Sequence, residues 1–185
     1  MASIAKFDSW LNSAGNTYNT VVGVTYTSNT TTYSTNGSDV KMLEGSITTK
    51  LASSKILVNI TFGHGAYAQD VDLSAACGYK TGATSATIGD YTSLHGTLYT
   101  RRYSALGSFW AQDTSDPSGG SWNGGYFVMA RNYQNLHAPA VSAGVTLNYS
   151  LWVGSGGGTM YWNRAYSGST DNGHISSITL MEIAQ

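Results

Sequence analysis

Few side chains in this 185-residue chain are equipped for acid–base, nucleophilic or metal chemistry. Aspartate and glutamate together number ten, there are four histidines, and Cys77 is the single cysteine. A glycan-cleaving pair needs two carboxylates facing each other across a groove, about 5 Å or roughly 6.5–9.5 Å apart. Asp70 and Asp72 would share one strand face, and Asp113 and Asp116 sit in a Gly/Ser loop. Both pairs read as solvated turn acids. His64, His95, His137 and His174 are scattered over expected loops and strand ends, without the His-x-His or His-Glu-x-x-His spacing of a zinc site. The Gly154–Gly158 run lacks the Lys-Ser/Thr of a phosphate loop, and no Gly-x-Ser-x-Gly nucleophile motif is present. The chain is therefore read as non-enzymatic, with no catalytic residue, cofactor or metal assigned. An isolated Ca²⁺ or Mg²⁺ on a loop carboxylate stays open.

Binding chemistry is better represented. Tyr91, His95, Tyr99, Arg101, Arg102 and Tyr103 cluster in sequence, and Trp110, Trp122 and Tyr126 border or interrupt a long polar stretch. Aromatic rings bury large, rigid area and keep a polar handle, and Arg adds donors beside them. Flat rings also stack on sugars. Trp110, Trp122, Tyr126, Arg101, Arg102 and Tyr103 are the candidate glycan contacts, although alternating Tyr and Trp also suit ordinary sandwich packing.

The elements that must position these residues follow from composition. Only 10% of residues are charged, against roughly 25% in an average soluble domain. Thr, Ser, Gly, Asn and Tyr take their place, so strong helix formers are scarce and β-formers plentiful. Val22, Val24 and Tyr26 alternate, followed by a Thr-rich stretch from Thr30 to Thr35, a turn at Asn36-Gly37 and a strand from Val40 to Leu51 with Ile47, Thr49 and Leu51 on one face. Ile56, Val58, Ile60 and Phe62 form one face of the clearest strand, which Gly63-His64-Gly65 is expected to end. Shorter candidates lie at Ala75–Lys80, Thr97–Tyr103 and Tyr126–Arg131, with a loop at Asp113–Gly125 and a connection at Ala138–Gly144. Val145, Leu147, Tyr149, Leu151 and Val153 then alternate without a break. Eight to ten short strands between turns predict an all-β domain, a β-sandwich or jelly roll, over residues 20–185.

Both ends of the chain are distinctive. Residues 1–19 form a separate segment in which Ile4, Phe7, Trp10 and Leu11 fit one helical face, while Phe7, Ser9 and Leu11 also alternate like a strand. Such apolar residues either dock on another protein or fold back on this one. At the other end, Tyr161–Tyr166 and Ile175–Ile183 flank a Ser/Gly/Asp/Asn cluster, which predicts a closing hairpin. In the last strand Ile178 and Leu180 point one way and Thr179, Met181 and Ile183 the other. A strand apolar on both faces needs a core on one side and a further contact on the other.

A formal net charge of −1 supplies no basic field, so nucleic acid is not an expected partner. No run approaches the roughly 20 apolar residues of a membrane span, and the N-terminus lacks the apolar core of a signal peptide. Membrane insertion is not expected.

Three stretches resemble a broad family of small tailed-phage fibre-like structural proteins, of the type found in phages of marine bacteria and cyanobacteria. They are the leader Met1–Gly15, the strand Ser53–Val58, and the ending Asn163-Arg164 with Ser176–Ala184. The Ala-Pro connection leading into Ala138–Val153 also fits. Between Gly63 and Leu136 the likeness is poor. Without fibre repeats or a coiled-coil shaft, a short fibre, knob or head appendage suits the chain better than a full tail fibre. The resemblance implies a virion protein assembled in the host cytoplasm, attached to a capsid or tail protein through residues 1–19, with a β-domain projecting outward. Ile4, Phe7, Trp10 and Leu11 would make the attachment. It also implies a homotrimer, for which Met181, Ile183 and Trp152 are the candidate interface, and adhesion to a host-surface glycan. The alternatives are a capsid decoration (cement) protein, a glycan depolymerase and a free carbohydrate-binding module.

Overall fold

A computed structural model describes residues 20–35, 39–66, 72–94, 109–110, 129–155, 160–164 and 173–184. Eleven strands and one 3₁₀ turn make up the regular structure of these residues. The strands are β1 (Val21–Asn29), β2 (Tyr33–Thr35), β3 (Val40–Thr48), β4 (Lys55–Ala66), β5 (Asp72–Thr81), β6 (Thr92–Ser93), β7 (Phe109–Trp110), β8 (Met129–His137), β9 (Thr146–Ser155), β10 (Met160–Trp162) and β11 (Ser176–Ile183). The 3₁₀ turn covers Ile88–Asp90.

Two antiparallel sheets pack face to face as a β-sandwich, the fold class expected from composition. In the first sheet β4 is central: β8 pairs along one edge, and β11 and β10 share the other. β1 then pairs with β11, and β2 with β10. The second sheet runs β3-β9-β5, with β6 and β7 on the far edge of β5.

The two-residue strand period decides the core. Ile56, Val58, Ile60 and Phe62 of β4, with Ile178 and Leu180 of β11, face Leu147, Tyr149, Leu151 and Val153 of β9. Trp162 closes one end against Phe62, with ring centroids 6.2 Å apart. Gly45 of β3 also faces inward. A Cβ there would lie 2.8 Å from Ile178 Cγ2, so only glycine lets the sheets approach at that point.

Three expectations from sequence are corrected. First, β4 does not end at Gly63. It continues through Gly65 to Ala66, because Gly63 lets the His174 ring lie against the backbone, where a Cβ would come within 2.4 Å of His174 Cγ. Second, β8 extends to His137, well beyond Arg131, since β4 offers it a paired edge from Ile56 to His64. Third, β10 and β11 do not form a hairpin with each other. Both are antiparallel to the same edge of β4, Trp162 opposite His64 and Ser177 opposite Thr61. They are two halves of one interrupted strand line. β1 and β2 are interrupted alongside them, as Asn29 pairs with Ser176 and Tyr33 with Trp162.

Candidate functional site

The sandwich has two distinct poles. At one, Ala184 donates its backbone N–H to Thr20 O at 2.9 Å, so the first and last described residues are joined. The 49–54 loop and the 138–145 connection meet there through Thr49 N–H to Val145 O at 3.0 Å and Ser53 N–H to Val141 O at 2.9 Å. At the other pole lie Thr35, Ala66, Asp72, Trp110, Met129, Ser155 and Met160, all ends of strands. Ser155 Oγ donates to Thr35 O at 3.0 Å and ties the two sheets together there. Residues 67–71, 111–128 and 156–159 connect strand ends of this second pole.

The near pole is organised by Glu182. Its carboxylate is buried on the core face of β11 and accepts Lys50 N–H at 2.9 Å, Leu51 N–H at 3.0 Å and Ser54 Oγ–H at 2.8 Å. Burial pushes the carboxyl toward the neutral form. The backbone N–H groups of Lys50 and Leu51, the Ser54 hydroxyl and the Lys50 charge outweigh it, so its pKa falls below the usual value. Period alone would have placed Glu182 beside Ile178 and Leu180, and a carboxylate on a core face requires dedicated donors.

Toward the other pole, Asn163 adopts φ 60° with its side chain fully buried. Its Nδ2 donates to Asn29 O and Thr31 O, each at 3.0 Å, and its Oδ1 accepts Ser176 Oγ–H. Its backbone N–H donates to Gly63 O, and its C=O accepts from His174 N–H, both at 3.0 Å. This residue holds the breaks in both strand lines. His64 nearby was expected on a loop but is fully buried, continuing the Ile56-to-Phe62 face. Burial, reinforced by the charge of Arg131, lowers its pKa to about 4. Its Nε2 accepts from Arg131 Nε–H at 3.3 Å.

The two outer faces differ. On the β3-β9-β5 sheet, the chain between Gly82 and Leu94 crosses over the strands, and Tyr91 packs edge-on to Trp152 with centroids 5.9 Å apart. The Tyr91 hydroxyl donates to Glu44, while Lys41 Nζ donates to Glu44 Oε2 at 2.7 Å and Ser85 O at 2.9 Å. Burial, then the hydrogen bond to Glu44, pushes the Tyr91 phenol up to about 12. On the β8-β4-β11-β1 sheet, the register aligns Val24, Met181, Leu57 and Leu136 in one lateral row on the outside. Val24 is 57% and Leu136 53% exposed. The next row along, Tyr26, Thr179, Asn59 and Gln134, is polar apart from the tyrosine ring.

Of the residues singled out from sequence, Met181 and Ile183 stand half-buried on this outer face, while Ile178 and Leu180 fill the core. Trp152 is 5% exposed and covered by Tyr91 and Lys41 of its own chain, with its indole N–H bonded to Ser150 Oγ at 2.8 Å. Tyr91 is likewise buried and separate from any open surface. Trp110 lies in β7 opposite Asp72, with only its backbone described. Arg101, Arg102, Tyr103, Trp122 and Tyr126, with Ile4, Phe7, Trp10 and Leu11, lie outside the described residues. Among the described residues, no three His, Cys, Asp or Glu side chains gather as a metal site.

No family model matches the sequence, and no curated protein matches it. A solved structure of infectious bursal disease virus, Gx strain, is similar over 99% of this chain and 46% of that one, at 8% identity and a TM-score of 0.40. The chain thus spans less than half the length of that viral chain. Nothing about function follows from a likeness of that degree.

Proposed function

We propose that this chain is a non-enzymatic structural protein of a phage virion, a short fibre or knob held to the particle by residues 1–19. The observation that carries this reading is the polarity of the sandwich. The chain enters the domain at Thr20, at the pole where Ala184 is bonded. The strand ends that border residues 111–128, including Trp110 and Met129, lie at the opposite pole. Thr20, where the attachment segment would join, and the strand ends at Trp110 and Met129 thus lie at opposite poles, which suits an appendage that holds a particle while touching a host surface. The sequence resemblance adds to this at the leader, the β4 strand and the ending. The reading does not depend on the homotrimer that the resemblance implies.

Antibody labelling of virions tests it directly. The protein should be found on the particle, and deletion of residues 1–19 should release it. Particles lacking it should adsorb poorly and resist bursting normally. The opposite result, normal adsorption with fragile particles, would favour a cement protein. Release of reducing sugar from host polysaccharide by the purified chain would instead make it a depolymerase.

A further inference from the structure

We propose that residues 83–91 form a lid over Trp152 that opens as a unit while the sandwich stays folded, with the contact between Tyr91 and Glu44 as its latch. This does not rest on the virion reading. The lid is fastened to the β3-β9-β5 sheet at both ends. Before it, Gly82 N–H donates to Thr146 O at 3.0 Å, and Gly82 O accepts from the Asn148 amide. After it, β6 pairs with β5, and Leu94 N–H donates to Cys77 O at 3.1 Å. Gly82 turns the chain at φ 78°, a conformation that favours glycine.

Between those anchors the lid holds itself together. Thr87 N–H donates to Ser85 Oγ at 3.1 Å, Asp90 N–H to Thr87 O at 3.2 Å and Tyr91 N–H to Ile88 O at 3.1 Å. Ser85 N–H donates to the Tyr91 hydroxyl at 3.1 Å. Among the described residues, no backbone–backbone bond joins residues 83–91 to a strand. Side chains make the grip on the sheet. The Tyr91 hydroxyl donates to Glu44, Lys41 Nζ donates to Ser85 O at 2.9 Å, and Tyr91 and Ile88 pack with Trp152 and Ala76.

The sandwich core does not include that grip. Trp152, Ala76 and Tyr91 form a small cluster of their own on one side of the second sheet, while Leu147, Tyr149, Leu151 and Val153 fill the main core on the other. The β3-β9 and β5-β9 ladders lie between the two clusters and are complete without the lid. Lifting it exposes the small cluster and leaves the ladders and the core intact, which is the condition for an opening smaller than global unfolding. The face so uncovered carries the Trp152 ring, with Lys41 Nζ 6.0 Å from its centroid and Glu44 paired to that lysine.

Hydrogen exchange of the full-length chain, followed amide by amide in rising sub-denaturing urea, tests the proposal. The amides of Ser85, Thr87, Asp90 and Tyr91 should share one protection factor, at least about a hundredfold below those of Tyr149 and Leu151 in β9. Their exchange should depend weakly on urea, since the opening exposes little surface. Tyr91→Ala should hold the lid open. The Thr87 and Asp90 amides should then exchange within about tenfold of an unfolded chain, while Tyr149 and Leu151 stay protected. Lid amides that match β9 in protection and urea slope, or that differ widely among themselves, would overturn the proposal. So would a Tyr91→Ala protein that fails to fold or loses its β9 protection.

Discussion

Asn163 and Ser176 are joined by a hydrogen bond of 2.5 Å, so the residue at which the closing strand breaks off holds the residue at which it resumes. Thirteen positions separate them in the chain, yet both border the same edge of β4. The break is fixed by a fully bonded buried amide.

Substitution at Asn163 should therefore be costly. Asn163→Ala loses three side-chain hydrogen bonds and places a Cβ residue without a local partner at φ 60°. A loss of about 3 kcal/mol is expected in urea unfolding. Asn163→Gly loses the same bonds but removes the left-handed strain, and should be less harmful by about 1 kcal/mol. Equal stabilities for the two variants would show that the backbone conformation is not strained.

Glu182 ties β11 to the 49–54 loop. Glu182→Ala leaves the N–H groups of Lys50 and Leu51 without their acceptor, and should destabilise by at least about 2 kcal/mol. Glu182→Gln keeps one acceptor oxygen but turns an NH₂ toward those donors, so it should fall between wild type and Ala. Denaturant midpoints for the three proteins would check the order.

Acid should destabilise the domain in two windows. The folded pKa of His64, about 4, lies below its unfolded value, so its neutral form favours folding. The stability this confers is complete above about pH 6.5 and is lost as pH falls toward 4, on the order of 3 kcal/mol in all. The lowered pKa of Glu182 acts the same way at lower pH, below the unfolded carboxylate value of about 4.3. Chemical unfolding measured from pH 8 to 3 should show both. His64→Gln should make the first window shallower, leaving the part that His137 and His174, also lowered by burial, contribute there, and should leave the second unchanged. An unchanged slope between pH 6.5 and 4 would mean that His64 is not the titrating group.

Cys77 is fully buried, and burial pushes its thiol well above the usual range. An aromatic disulfide reagent at pH 8 should therefore label it only through unfolding. Glu182→Ala should speed labelling in proportion to its effect on stability. Rapid labelling of the native protein would place the thiol within reach of solvent.

Much of the scaffold was legible in the sequence because strand period needs no partner to be read. The Ile56-to-Phe62 and Leu147-to-Val153 faces were assigned from alternation and form the core. The same rule, carried two residues further, would have placed His64 and Glu182 indoors. Glycines at 63 and 65 argue for a turn instead, and Glu182 carries no signal of its own within an apolar ending. The polar Asn132–His137 stretch was not read as strand, since its side chains alternate between partial cover and solvent and supply no apolar signal.

Sequence by itself determined that this is an all-β chain and that Ile178 and Leu180 face opposite to Met181 and Ile183; that the first pair turns inward was decided by the packing of β11 on the second sheet. The first two of these depend on local geometry and composition. Only the tertiary structure decided that β10 and β11 share one edge of β4 in place of pairing together. Edge occupancy is a long-range property: a turn-like stretch permits a hairpin but cannot show which strand edges are free. The same pairings set Val24, Met181, Leu57 and Leu136, far apart in the chain, side by side in one row.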